Sequence, residues 1–295
     1  MDASQRGGRR RWLDRGRLLI SCPDRPGIIA AVSRFLAERG ANIVDSDQHS
    51  TGSKTKLFFM RVEFDLHDLE ARLSDLQRAF LDVAARFSMD WRMALATHPK
   101  RLAIFVSREE HCLLELLWQQ RAGDLYAEIA MVVGNHEDLR DTVAAFGIPF
   151  VHVPVVADRK GEAEERQLAA VEGRVDAVVL ARYMQILSPE FVRRWPHKVI
   201  NIHHSFLPAF VGARPYTQAY ERGVKLIGAT AHYVTADLDA GPIIEQDVQR
   251  VGHRQNADDL RRIGRHIERI VLARAVAWHA EDRILVHDNK TVVFA

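Results

Sequence analysis

The sequence predicts an α/β protein in two domains, a βαββαβ unit followed by a mostly parallel sheet flanked by helices. Three observations carry this. Residues 17–97 alternate short apolar runs with two stretches whose apolar residues recur at helical spacing. His98-Pro99-Lys100 then breaks the pattern, because the residue before a proline is driven out of the helical region. From Leu102 onward strands and helices alternate singly, which is the signature of parallel pairing through crossovers.

In the first part, Leu18-Leu19-Ile20-Ser21-Cys22 reads as a short apolar strand broken by Pro23-Asp24-Arg25-Pro26-Gly27. Ile28, Ala31, Val32, Phe35 and Leu36 recur at helical spacing, and Gly40 stands where a helix ends. Ile43-Val44 opens a second strand. A third covers 58–64 with Phe59, Arg61 and Glu63 alternating, a second helix covers 69–87, and Met89, Trp91, Met93 and Leu95 alternate as a fourth strand. This order is the ferredoxin-like arrangement. In the second part, strands are expected at 102–106, 129–133, 150–153, 177–180 and 199–202, with a further β-branched and aromatic run at 229–234. Helices are expected at 112–120 and 139–146. A long one over 258–279 carries Leu260, Ile263, Ile267, Ile270, Val271 and Ala275 on one face. Ile284-Leu285-Val286 and Val292-Val293-Phe294 read as a closing hairpin. The expected division is a disordered basic tail over 1–15, a first domain over 16–97 and a second over 98–295.

Composition bounds the function. At 295 residues, with 47% hydrophobic and 27% charged residues, the chain fits an ordinary globular protein of two domains. A formal net charge of +2 is too small to imply a nucleic-acid or membrane partner. Two cysteines, Cys22 and Cys112, make neither a disulfide framework nor a metal spacing, so a reducing cytoplasm is the expected compartment. The tail holds Arg6, Arg9, Arg10, Arg11 and Arg15 but lacks the ~7–15 apolar residues of a signal peptide. It is open to two readings, a contact for an anionic surface or a solvated extension, and its Gly and Ser content favours the second. No stretch approaches the ~20 apolar residues of a membrane span.

The chemistry concentrates between Asn201 and Gln246. Val199-Ile200-Asn201-Ile202 reads as a buried strand, and residues two apart on a strand share a face, so Asn201 and His203 point together. They stand at the carboxyl end of a strand, where open α/β sheets place their ligands. Asp239 follows the 229–234 run on a loop stopped by Gly241-Pro242. An amide can donate to an oxyanion without changing charge, an imidazole can carry a proton, and a carboxylate can hold a water or orient the histidine. His232 and Thr230, on the strand leading to Asp239, are candidates for supporting the three. For His232 a satisfied core histidine is the equal alternative. A metal held by His197, His203, His204 and His232 is disfavoured, because adjacent strand residues such as His203 and His204 face apart.

The segments Asn201-Ile202-His203-His204-Ser205-Phe206-Leu207-Pro208 and Thr235-Ala236-Asp237-Leu238-Asp239-Ala240-Gly241-Pro242 resemble the folate-dependent formyltransferase superfamily. With Ala209-Phe210 and Ala219-Tyr220-Glu221-Arg222-Gly223, the chain is similar in particular to its formyltetrahydrofolate deformylase family, from about Arg17 to Phe294. The resemblance implies hydrolysis of 10-formyltetrahydrofolate to formate and tetrahydrofolate, with Asn201, His203 and Asp239 as the catalytic set. The formate would feed purine synthesis and the reaction would balance one-carbon folate pools. It also implies that the stretch after the 177–180 strand forms part of a pterin pocket, with Met184, Gln185, Ile186 and Leu187 as folate-binding candidates. Ordinary core packing is the competing reading for their apolar side chains. No metal or redox cofactor is required by these residues.

Asp24-Arg25-Pro26-Gly27-Ile28 together with Gly40-Ala41-Asn42-Ile43 resembles an ACT domain. The resemblance implies a homodimer or homotetramer and an amino-acid effector such as methionine or glycine, with Asp24, Arg25, Gly27 and Asn42 as candidate contacts. Arg25 could meet a carboxylate and Asp24 or Asn42 an amino group. The alternative is a turn that binds nothing.

Two rival functions are separated by an absence. In the superfamily's glycinamide ribonucleotide transformylases a Gly-rich loop after the first catalytic-domain strand binds phosphate. Phe105-Val106-Ser107-Arg108-Glu109-Glu110-His111-Cys112 stands there without a glycine, and its two glutamates repel phosphate. A formyl transfer to an amine is therefore the weaker reading. A non-catalytic amino-acid-sensing regulator is opposed by the intact Asn201, His203 and Asp239.

Overall fold

The computed structural model describes residues 14–52, 56–208 and 215–295. The expected basic tail therefore lies outside the described residues, apart from Asp14 and Arg15. The chain divides into two compact units, one of Met1–Pro99 with Glu281–Leu285 and Val292–Ala295, the other of Lys100–Ala280 with Val286–Thr291.

The first unit runs β1 (Arg15–Pro23), α1 (Ile28–Glu38), β2 (Asn42–Ser50), β3 (Leu57–Asp65), α2 (Leu69–Phe87) and β4 (Asp90–Leu95), in sheet order β2-β3-β1-β4. Its pairings are all antiparallel. Alternation sets the core. Leu18, Ile20 and Cys22 on β1 and Phe58, Met60, Val62 and Phe64 on β3 face Val32, Phe35 and Leu36 of α1 and Leu69, Leu76 and Phe80 of α2. Two boundaries differ from the sequence reading. Arg15 belongs to β1, not to a tail, because it pairs with Asp65 in register and its Nε donates to that carboxylate at 2.8 Å. β2 runs on to Ser50 although its apolar signal stops at Val44, since it is an exposed edge strand whose side chains stay in water.

The expected second domain, 98–295, also differs. Residues 281–285 and 292–295 belong to the first unit. The reason is a buried charge cluster on the sheet face opposite the helices. Arg61 is 1% exposed and donates to Asp45 at 3.0 Å, to Glu63 at 2.7 Å and to the Asp282 carbonyl at 3.2 Å. The Asp282 carboxylate lies 2.6 Å from Arg92 and 3.6 Å from Arg17. Buried charges persist only when paired, and Asp282 supplies that pairing.

The second unit contains β5 (Lys100–Val106), α3 (His111–Ala122), β6 (Ala127–Gly134), α4 (Arg140–Ala144), β7 (Phe150–His152), a 3₁₀ turn (Ala157–Arg159), α5 (Lys160–Val171), β8 (Ala177–Leu180), α6 (Pro189–Arg194), β9 (Val199–His203), α7 (Pro215–Glu221), β10 (Leu226–Tyr233), β11 (Ile243–Arg250) and α8 (Ala257–Ala280). A hairpin, β12 (Ile284–His287) and β13 (Lys290–Val293), ends the chain. The seven-stranded sheet has the order β11-β10-β9-β8-β5-β6-β7. The pairings from β7 through to β9 are parallel, and β10 and β11 close one side antiparallel. Strand order reverses between β5 and β8, so the carboxyl ends of β5, β8 and β9 open a crevice of the kind that binds ligands. Among the described residues no helix is long and apolar enough to cross a membrane.

On α8 the buried face is made by Leu260, Gly264, Ile267, Glu268, Val271, Leu272, Ala275 and Val276. Ile270, expected on that face, is 43% exposed, and a glutamate and a glycine are inside instead. Gly264 is required there, because a Cβ would collide with the Tyr216 ring and hydroxyl.

Candidate active site

β9 and β10 bring four polar side chains to one sheet face. In the antiparallel register Asn201 stands opposite His232 and His203 opposite Thr230, and residues paired this way share a face. His203, Thr230 and His232 are 5%, 0% and 1% exposed. Such groups must find partners or cost stability.

Asp239 joins them by way of a bulge and a tight return. The β10–β11 register shifts between Ala231 and His232, which bends β10 as it leaves the sheet. The Tyr233 N–H donates to the Pro242 carbonyl at 2.9 Å, closing the loop between them. Asp239 takes a left-handed backbone, φ 52°, a conformation that an aspartate tolerates better than most residues. Gly241 packs against the Tyr233 carbonyl with no room for a Cβ. The loop thereby folds Asp239 back over β9, with Oδ2 3.2 Å from His203 Nδ1 and Oδ1 3.7 Å from His232 Nε2.

Partners assign the protons. His203 Nδ1 faces a carboxylate and so carries hydrogen, which leaves Nε2 as the lone-pair nitrogen of the neutral ring. That Nε2 is buried and has no hydrogen-bond partner among the described residues. His232 Nδ1 donates to the Tyr233 carbonyl at 2.9 Å, so its Nε2 accepts from the Asn201 amide nitrogen at 3.2 Å. One N–H of Asn201 is thus spent on orientation and the other is left to donate. The bond from His203 holds the Asp239 carboxyl well below the usual carboxylate range despite its burial. Asp239 is therefore ionised at neutral pH. A neutral donor, a basic ring nitrogen and a fixed negative charge can together stabilise an oxyanion and move one proton.

Thr230 has a different place. Its hydroxyl accepts from Leu207 N–H at 3.0 Å and from Gln246 Nε2 at 2.9 Å and donates to the Ser205 carbonyl at 2.9 Å. It fixes the turn after β9 rather than touching Asp239. His204 was expected to face away from His203, but the two rings lie 5.3 Å apart because the strand ends at His203. Burial first, then the Arg182 charge, pushes the His204 imidazole down to about 4. The folded chain thus keeps His204 neutral while the unfolded chain takes a proton from about pH 6.5 downward. Stability is untouched above that pH and falls between it and about 4. Replacing His204 by Gln is expected to remove on the order of 2 kcal/mol of this acid-side loss, read from urea midpoints at neutral and acid pH.

Among the folate-binding candidates, Met184 and Ile186 stand 59% and 58% exposed on the loop after β8. Gln185 lies between them, half-buried. Leu187 is placed otherwise, in the core cluster with Phe191 and Val192. Phe206 and Leu238, exposed on neighbouring loops, carry apolar surface that sequence reasoning passed over. Their only signal was adjacency to His203–His204 and Asp239.

Sequence reasoning also missed a buried network. Glu268 of α8 is 1% exposed, 2.8 Å from His111 Nε2, 2.5 Å from the Tyr216 hydroxyl and 3.5 Å from Arg182 Nε. Burial would raise Glu268, but His111, Arg182 and Tyr216 outweigh it and hold it lowered. His111, Cys112 and Glu268 form the one cluster of His, Cys and acidic ligand atoms among the described residues close enough for a metal. The set fits a metal poorly, since His111 and Glu268 are spent on each other, Arg182 adds a positive charge, and burial pushes the Cys112 thiol far up.

In the first unit, Asp24, Arg25 and Gly27 line one open cavity of about 1000 Å³, shared with Gln48, Ser50 and Phe58. Asn42, the fourth candidate, is not among the lining residues, because it opens β2 opposite Asp65. Arg25 is partly engaged, donating to the Arg86 carbonyl with its guanidinium 4.9 Å from the Phe87 ring centre.

Comparison with known proteins agrees with this anatomy. Residues 100–276 match the formyl transferase family and residues 16–81 the ACT domain family. A formyltetrahydrofolate deformylase of Bacillus subtilis is 58% identical over 282 residues, 95% of this chain and 94% of that protein. The crystal structure of a formyltetrahydrofolate deformylase from Pseudomonas syringae pv. tomato superposes with a TM-score of 0.91 at 49% identity, covering 99% of each chain. A phosphoribosylglycinamide formyltransferase from Anaplasma phagocytophilum, 32% identical, covers 67% of this chain and 95% of its own, with a TM-score of 0.61.

Proposed function

The chain belongs to the formyltetrahydrofolate deformylase family, and we propose that it hydrolyses 10-formyltetrahydrofolate to formate and tetrahydrofolate with Asn201, His203 and Asp239 as its catalytic groups. The observation that carries the site is the ionised Asp239 held 3.2 Å from His203 Nδ1, with His203 Nε2 left as a lone pair.

The division of labour follows from basicity. A carboxylate held far below its usual range is a weak base, so Asp239 does not take the water's proton. His203 takes it through Nε2, and Asp239 orients the ring and stabilises the imidazolium that forms. As water adds to the formyl carbon, negative charge gathers on the formyl oxygen, and the free N–H of Asn201 donates to it. His203 then returns its proton to the departing nitrogen, formic acid leaves and gives its remaining proton to solvent as formate, and the ring is neutral again. His232 works through Asn201, holding its amide at 3.2 Å in the orientation that presents this donor. Met184, Gln185 and Ile186 supply folate contacts on the adjoining loop.

Water rather than an amine is the acceptor on this reading. The amino end of α3, where a phosphate-bearing acceptor would dock, carries Glu109 and Glu110, and Glu268 sits behind His111. Formate released from 10-formyltetrahydrofolate alone, at a rate that a glycinamide nucleotide leaves unchanged, is the expected result. A requirement for an amine would reject it. We place the reaction in the cytoplasm, where its formate supplies purine synthesis and its turnover balances one-carbon folate pools.

The ACT unit is read as a sensor of free amino acids in a homodimer or homotetramer. The cavity beside Asp24, Arg25 and Gly27 is the effector site, and methionine or glycine the effector. Calorimetry is expected to show binding of one of them and a rate shift of up to ~100-fold. Arg25→Ala should abolish both while the unregulated rate persists. Heats indistinguishable from dilution would leave the unit with an assembly role only.

A further inference from the structure

A cavity of about 260 Å³ in the second unit is lined by Arg182, Met184, His204, Arg261, Arg265 and Glu268 among others. Arg182 has its charge poorly spent. Its side chain is 14% exposed, yet Nε and Nη1 are buried and have no hydrogen-bond partner among the described residues. Its partner in charge is Glu268, 3.5 Å from Nε, beyond the ~2.7–2.9 Å of a charge-assisted hydrogen bond. Glu268 is already engaged by His111 and Tyr216. Of the other two arginines in the lining, Arg261 is paired with Asp258 at 2.6 Å and Arg265 lies 3.9 Å from Glu109, so Arg182 is the one whose charge is poorly met. The backbone holds both Arg182 and Met184 in the left-handed region, at φ 60° and 59°. Such strain outside glycine persists where the surroundings over-determine it, commonly at ligand sites.

A buried guanidinium with unmet donors calls for an acceptor, and a single incompletely paired guanidinium suits a small monoanion. The cavity's position says which. His204 forms part of its wall, and the His204 ring centre is 5.3 Å from that of His203. We propose that this cavity is a small-monocarboxylate site and that its occupant is formate, received from His203 across the His204 ring and held by Arg182 as it leaves. A phosphate dianion carries more charge than the site offers and meets Glu109 and Glu268. The proposal rests on formate being the product, but binding can be measured without turnover, so either reading can fail while the other stands.

The test titrates the whole chain with sodium formate, acetate, phosphate and chloride at matched ionic strength, reading the thermal midpoint and the inhibition of turnover. Formate is expected to raise the midpoint saturably and to inhibit, whereas chloride does neither. Arg182→Gln should weaken formate binding at least ~10-fold, as expected on losing a hydrogen bond to a charged group. Arg261→Gln combined with Arg265→Gln, on half-exposed positions of α8, should weaken it several-fold and decides the matter if Arg182→Gln does not fold. Identical responses to formate and chloride, tighter binding of acetate or phosphate than of formate, or wild-type formate affinity in the variants would overturn the proposal.

Discussion

Replacing Asp239 by Asn, His203 by Ala or Asn201 by Ala is expected to lower turnover by ~10² or more in each case. On the proposed mechanism the three act as one unit. Asp239 is ionised and bonded to His203 Nδ1, and Asn201 is oriented by His232, which itself lies 3.7 Å from Asp239. Removing one member disables what the others hold, so Asp239→Asn with His203→Ala should cost far less than the product of the single losses. Steady-state rates with 10-formyltetrahydrofolate, alongside a cooperative melt to show that each variant is folded, give the comparison. Near-native turnover in Asp239→Asn would show that the charge is not needed. His232→Gln tests positioning separately. Its amide can still meet Asn201, so it should retain more activity than His232→Leu, with the difference lying in kcat rather than KM.

Gly241→Ala is expected to have an effect of similar size without touching a catalytic group. A Cβ at Gly241 would collide with the Tyr233 carbonyl oxygen, and Tyr233 also carries the N–H bond that closes the loop. Backbone cannot swing aside as a side-chain tip can. The 235–242 loop must shift instead, and Asp239 shifts with it. A misplacement of about 1 Å in a catalytic group costs ~10²-fold. The variant should lose turnover by that order and about 1–3 kcal/mol of stability, as overpacking does. The same change at Gly27, whose Cβ meets nothing within 4 Å, strains only the backbone and should spare catalysis. Equal rates for wild type and Gly241→Ala would mean that the loop has slack the structure does not display.

The strands of the parallel sheet were legible because each carries a short apolar run. Ala177–Leu180 and Val199–Ile202 stand out against polar flanks, and the Asn201–His203 alternation alone places both groups on one face. β11 was not legible. Glu245, Gln246, Asp247, Gln249 and Arg250 leave it no clean apolar run, since an edge strand keeps much of its surface in water. α5 was hidden likewise, its mixture of Glu, Arg, Ala and Gln giving no clean apolar stripe. The Glu268 network escaped for another reason. A lone glutamate in a long helix reads as solvated, and its partners His111, Arg182 and Tyr216 are 157, 86 and 52 residues away. Contact of that kind is written in the topology and not in local spacing. Leu187 shows a finer scale, where one residue's step along the loop from Ile186 turns a side chain from solvent into the core.

The central claim is that water attacks the formyl carbon at Asn201, His203 and Asp239. Turnover of 10-formyltetrahydrofolate in water enriched in oxygen-18, with no amine present, tests it most directly. Formate carrying one labelled oxygen for each tetrahydrofolate formed, at a rate abolished in His203→Ala, is the predicted result. Unlabelled formate, or no formate until an amine is supplied, would contradict it.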